Sequence, residues 1–238
     1  MKWEIQIIGD TRDLRELSKS LTNDELRITE RDGQFHLEST RFESLNTDQE
    51  VRYVVSEILP ILTGAARLSL GGRTPLRMGG VARVKEDGTR EMFLFVSDTI
   101  HVMDSAIVEI QKGDGTVEVV KPADRVPSWV NLGLADSKVA KALRLIGTEK
   151  HDWASLYRLY EVIEGDIGGM DKIADRDWAT KASIRRFKHT ANSPAAVGDA
   201  SRHGKESTVP PPNPMELGEA RALVEMILHN WLHSKLQP

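Results

Sequence analysis

The chain has 238 residues, no cysteine, 29% charged side chains and a formal net charge of −4. Without thiols it can build neither a disulfide framework nor a thiolate metal site, which suits a reducing, cytoplasmic setting. An apolar content of 39% is enough to bury a core and excludes wholesale disorder, and the length suits two domains.

Taken in chain order, Trp3, Ile5 and Ile7 alternate and predict a first strand. The glutamate and glutamine nearby replace the apolar run that a signal peptide needs. Asp10 or Thr11 can cap a short helix whose Leu14, Leu17 and Leu21 share one side. Leu26 and Ile28, then Phe35 and Leu37, alternate on either side of Arg31-Asp32-Gly33, a hairpin signal because glycine accepts the positive φ of such turns. Thr47 to Glu50 has the spacing of a capping box, and Val51, Val54, Val55, Ile58, Ile61 and Leu62 follow at helical spacing. Pro60 is expected to distort the last turn and Gly64 to stop it, with Ala66, Leu68 and Leu70 forming the next strand. The apolar stretch from Ile58 to Ala66 is too short for a membrane span, and no membrane contact is expected.

Strand, helix, hairpin, helix, strand is the order of a split βαβ, or ferredoxin-like, layout. Further extended runs at 81–84, 92–96, 100–110 and 117–120, with turns at Asp87-Gly88 and Gly113-Asp114-Gly115, predict a meander that enlarges this sheet. Lys121 to Pro127 reads as a linker.

Beyond it the rhythm becomes helical. Asp136 can cap a helix carrying Val139, Leu143 and Ile146 and ended by Gly147. Asp152 can cap another bearing Trp153, Leu156, Tyr157, Tyr160 and Ile163 and ended by Gly165. A third is expected from about Asp175 to Ala191, with Trp178, Ile184 and Phe187 inward, and Ser193-Pro194 opens a short fourth. Gly204 to Pro214 holds four prolines and reads as a loop, and Leu217 to Trp231 gives the clearest amphipathic helix. The predicted class is therefore α+β: a ferredoxin-like, extended antiparallel sheet domain with two helices over residues 1–120, a linker at 121–135, and an all-α helical bundle over 136–238.

Chemistry is sparser. Gly71-Gly72-Arg73 to Gly79-Gly80 lacks the spacing of a phosphate loop and reads as a flexible connection between strands. No His-Glu-x-x-His pattern or nucleophile elbow occurs, so neither a metal site nor a cofactor is expected. Acidic residues exceed basic ones in residues 1–120 and the reverse holds in 121–238, which directs any anionic partner to the second half. There, Lys181, Arg185, Arg186, Lys188, His189, Asn192 and Lys205 form a basic segment able to meet the phosphates of RNA. A solvated, partly paired helix face is the competing account.

Within this segment, Ala200-Ser201-Arg202-His203-Gly204 sits at a predicted helix end, before the proline-rich loop and the long last helix. That arrangement resembles the HEPN superfamily of helical bundles, many of which are ribonucleases or nucleic-acid-associated modules. The resemblance implies Arg202 and His203 as catalytic residues acting on RNA across a homodimer, without a metal. The family's arginine and histidine stand several residues apart, whereas Arg202 and His203 are adjacent. An ordinary ion pair of Arg202 with Asp199, three residues back, is the alternative reading. Two functions follow as expectations: a binding or regulatory protein with a helical docking or dimerisation domain, or a HEPN-like protein that binds or cleaves RNA.

Overall fold

The structure is a computed structural model that describes residues 2–72, 74–84, 90–93, 108–111, 117–120, 122–147, 151–202 and 209–236. The chain divides into two compact units, Met1–Leu134 and Ala135–Pro238.

The first unit follows the α+β expectation. Strand β1 (Lys2–Ile8) is followed by α1 (Thr11–Ser20), the hairpin strands β2 (Thr22–Asn23), β3 (Leu26–Arg31) and β4 (Gln34–Glu38), helix α2 (Asp48–Leu70), then β5 (Arg77–Val84) and β6 (Arg90–Phe93). They form a six-stranded antiparallel sheet in the order β2-β3-β4-β1-β5-β6. Its central β3-β4-β1-β5 portion has the strand order of the split βαβ layout. Asp32 and Gly33 both adopt positive φ, 52° and 72°, as a two-residue hairpin turn requires. On one face Trp3, Ile5, Ile7, Leu26, Ile28, Phe35 and Leu37 bury with Leu14 and Leu17 of α1 and Val51, Val55, Ile58 and Leu62 of α2.

Local signals set both helix starts. The Asp10 carboxylate accepts from the amides of Arg12 and Asp13, and Thr47 and Glu50 complete a capping box. The end of α2 differs from expectation. Instead of stopping near Gly64, the helix runs through Pro60 to Leu70, and Gly71 closes it at φ 71°. Proline removes only the amide bond to the Ser56 carbonyl, while Leu59, Ile61, Leu62, Ala65 and Ala66 all bury, and that burial outweighs one lost bond. The strand expected at Ala66–Leu70 is therefore helix, and β5 takes its place beside β1. Helix α2 is long and apolar enough to cross a membrane by length and composition, and half of that apolar window is buried within the protein.

The meander also differs. Of the described strands of this region, β5 and β6 join the main sheet, while β7 (Val108–Gln111) and β8 (Val117–Val120) make a separate two-stranded sheet. The turns expected at Asp87-Gly88 and Gly113-Asp114-Gly115, and the beginning of the 100–110 run, lie outside the described residues. The stretch read as a linker holds a 3-10 turn at Pro122–Arg125 and α3 (Val126–Ala135), whose Val126, Trp129 and Val130 are fully buried. Two prolines suggested irregular chain, but proline fits a helix's first turn, where Pro127 stands.

The second unit is helical throughout its described elements: α4 (Ser137–Gly147), α5 (Trp153–Ile167), α6 (Met170–Ala174), α7 (Lys181–Ala191), α8 (Pro194–Val197) and α9 (Leu217–Leu236). Asp136 accepts from the amides of Lys138 and Val139, and Asp152 from that of Ser155, so both expected caps form. Gly165 does not end α5, which continues to a left-handed Gly168. The third expected helix begins late: its first residues form a turn with positive-φ Asp177, and only the Thr180-capped α7 is helical, leaving Trp178 half-buried under Arg176, while α6 lies ahead of the expected range. Leu223, Val224, Ile227, Leu228, Trp231 and Leu232 of α9 supply one side of this core.

Candidate functional site

The polar face of the sheet carries a cluster of charged side chains on β1, β3 and β4. Glu38 lies opposite Arg27, and the register that sets Ile5 across Leu37 brings Glu4 next to Glu38 one step further on. Both carboxylates are buried, at 5% and 3% exposure. Arg31 donates to Glu4 and, at 2.6 Å, to Glu38. Arg27 donates to Glu38 at 3.0 Å, and the Thr29 hydroxyl donates to the same carboxylate at 3.2 Å. A buried carboxylate without such donors would cost several kcal/mol, so these residues tie β1, β3 and β4 together from the side opposite the helices.

Beside this network opens a cleft of about 650 Å³, lined by Trp3, Asp24, Arg27, Glu38, Ser39, Thr40, Phe42 and Glu43. The Trp3 indole donates to the Leu45 carbonyl, and Ser39 caps the 3-10 turn Thr40–Phe42, so the walls are fixed by hydrogen bonds. Arg27, shared between Asp24 at 3.4 Å and Glu38, faces three carboxylates, so the lining carries an excess of negative charge.

No family model, no curated protein and no solved structure matches this chain. Its chemistry has to be read from its own residues.

The glycine-rich connection is not a phosphate loop here either. Gly71 is the cap of α2, and Gly79 and Gly80 belong to β5, where the Gly80 amide donates to Gln6. Gly72 packs against Asp13 so closely that a Cβ there would stand 2.1 Å from the carboxylate oxygen. Burial, reinforced by the neighbouring Asp10 carboxylate, pushes the Asp13 carboxyl up to about 6, against a smaller opposing pull from Arg12. The folded state thus holds this proton more tightly than the unfolded chain. Asp13 favours the fold most below about pH 4, and that contribution is lost as pH rises through about 6. We expect Asp13→Asn to be more stable than the natural protein at pH 7 by about 1 kcal/mol, after allowing for solvent screening. The gain should vanish at pH 4. Urea midpoints of both proteins at the two pH values check this, and an equal difference at both would refute it.

In the second unit, most residues of the predicted basic segment are engaged at home. Lys181 pairs with Asp171 at 2.8 Å. Arg186 donates to the carbonyls of Asn213 and Pro214 and to Glu219, fastening the chain ahead of α9. Lys188 bonds Glu164 at 3.0 Å and sits 5.4 Å from the Tyr160 ring, and His189 contacts the Val209 carbonyl. Asn192 donates back to the Lys188 carbonyl. Arg185 is exposed, one helical turn from Lys181 and from His189 on α7.

Arg202 does not pair with Asp199 as the ion-pair alternative had it. It bonds Glu161 at 2.7 Å, and its guanidinium lies 4.3 Å from the centre of the Tyr157 ring. Helix α5 repeats one device here: Tyr157 with Glu161 holds Arg202, and Tyr160 with Glu164 holds Lys188. Both pairs use the four-residue helical step, so ring and carboxylate converge on one cation. His203 and Lys205 lie outside the described residues. Among the described residues no group of three or more His, Asp or Glu could hold a metal ion.

Sequence reasoning passed over the sheet-face network, although a signal existed. A two-residue turn at Asp32-Gly33 pairs Arg31 with Gln34, and counting back four positions pairs Arg27 with Glu38. The addition of Glu4 required knowing which strand β1 joins.

Proposed function

We propose that this chain is a two-unit binding protein, in which the sheet unit holds a small ligand or peptide side chain bearing a positive charge. The cleft beside Glu38 carries this reading. It presents the exposed carboxylates of Asp24 and Glu43 beside the guanidinium of Arg27, while the buried Glu38 is already bonded to Arg27, Arg31 and Thr29. An ammonium or guanidinium group suits this surplus of negative charge, since carboxylates supply charge-assisted hydrogen bonds. The helical unit serves as a docking or dimerisation module, which exposed Met226 and Leu236 on α9 support. A cytoplasmic setting fits the cysteine-free composition.

The HEPN-like RNA reading has less behind it. Arg202 is bound to Glu161 and stacked on Tyr157, and Lys181, Arg186 and Lys188 are each bonded to carboxylates of their own unit. Phosphate neutralisation draws on cations with free valence, and these have little.

The test is a titration of isotope-labelled protein with the tripeptide Gly-Arg-Gly, followed by amide chemical shifts. Shifts are expected at 24–27 and 38–43, weakened about tenfold by Glu43→Gln, the equivalent of losing one charge-assisted contact. Shifts that ignore that substitution, or that fall elsewhere in the chain, would remove the cleft from consideration.

A further inference from the structure

Between α4 and α5 lies a second groove, of about 350 Å³, lined by Lys141, Leu145, Arg158, Glu161 and Val162. The described cations of this unit divide into those with an ion-pair partner and those without one. Lys138, Lys181, Arg186, Lys188, Arg202 and Lys235 all have carboxylate partners within the helical unit. Lys141 and Arg158 are exposed, and neither forms an ion pair with another described residue. The groove's carboxylate, Glu161, is already taken by Arg202. Within the lining, two cations from opposing helices face one carboxylate already bound to Arg202, and both stay uncompensated.

We infer that this groove is a binding site for a phosphate-bearing anion. Two positive charges on facing helices repel each other, and an anion placed between them turns that repulsion into two attractions. A phosphate group carries close to two negative charges at neutral pH, against one for a carboxylate, and so matches the pair. Arg158 presents a planar fork that meets two phosphate oxygens at once, while Lys141 supplies a mobile point charge from the other wall. Leu145 and Val162 give the groove apolar sides, which lowers the local dielectric and strengthens both contacts. Glu161 plays a restraining part, because it adds one negative charge to the site, though that charge is shared with Arg202. The same phosphate chemistry is offered by a free polyphosphate and by a nucleic-acid backbone.

Calorimetric titration of the full chain with tripolyphosphate, and separately with a short oligouridine, tests this. Acetate serves as the singly charged control. Binding of at least one phosphate probe is expected, weakened about tenfold by Lys141→Gln and by Arg158→Gln, and strengthened by Glu161→Gln. Both weakened positions are exposed, so circular dichroism should report an unchanged fold for those variants. Loss of tripolyphosphate binding in both variants identifies a small polyphosphate ligand. Loss confined to the oligouridine titration identifies a nucleic-acid backbone and carries a strong salt dependence. Absence of binding to both probes, equal binding of acetate, or affinity untouched by either cation substitution overturns the site.

Discussion

Replacing Arg31 with alanine is expected to lower the stability of the sheet unit by about 3 kcal/mol, the largest effect we foresee for any polar substitution in this protein. The guanidinium is itself partly open to solvent, at 38% exposure, and an exposed ion pair is ordinarily worth little. Here the two acceptors decide the matter. Glu4 and Glu38 are almost wholly withdrawn from water, so removing a donor they share leaves buried negative charge short of compensation. A carboxylate in that state costs more than the lost bond alone. Glu38 keeps Arg27 and Thr29, which holds the effect below the full price of two orphaned charges. The companion variant Glu4→Gln/Glu38→Gln with Arg31→Met removes the charges together, and should regain much of the loss. Guanidinium-chloride midpoints of the three proteins give the comparison. A single Arg31→Ala variant within about 0.5 kcal/mol of the natural protein, the range of ordinary surface changes, would sink the account.

Trp231→Ala is expected to destabilise the helical unit by about 4 kcal/mol. The ring is fully buried in α9, among Leu228 and Leu232 of its own helix and the side of α5. Its indole nitrogen donates to Asp166 at 2.9 Å, and the same carboxylate takes Lys138 and Lys235. Burial works against the charge on Asp166, but the hydrogen bonds from Lys138, Lys235 and Trp231 outweigh it and pull the carboxyl down to about 2. Truncation therefore opens a cavity and strips one of three donors from a charged group. Trp231→Phe separates the two contributions, since it fills most of the space while removing the donor, and should cost about 1–2 kcal/mol. A Phe variant as damaged as the Ala variant would show that the hydrogen bond, not the packing, carries the effect.

What the sequence made legible follows from the range of the forces involved. The capping box at Thr47 and Glu50, the Asp10, Asp136 and Asp152 caps and the Asp32-Gly33 turn are satisfied by residues within four positions, so local pattern suffices. Alternation in β1, β3 and β4 marked the buried face for the same reason. Failures came where distant packing overrules local cost. Pro60 and Gly64 look like stops until the burial of Ala65 and Ala66 is known. Val126, Trp129 and Val130 look like part of a connector until their burial is seen. The candidate sites are harder still. Glu4 and Glu38 are 34 positions apart and meet only through strand order, and Lys141 and Arg158 share a groove only because α4 packs along α5. Arg202 was visible as a cation, but its partner on α5 lies 41 positions earlier.

The brevity of β2 has a consequence for how copies of this protein behave when crowded. Only Thr22 and Asn23 pair with β3, so the margin of the sheet offers an incoming chain almost no length of backbone to align with. Past that point β3 continues as Ile28, Thr29, Glu30 and Arg31, and Glu30 is drawn toward Arg15 of α1. A foreign strand laid there would have to displace charged side chains before it gained its first ladder bond. This edge of the sheet is thus guarded against strand addition from a second molecule.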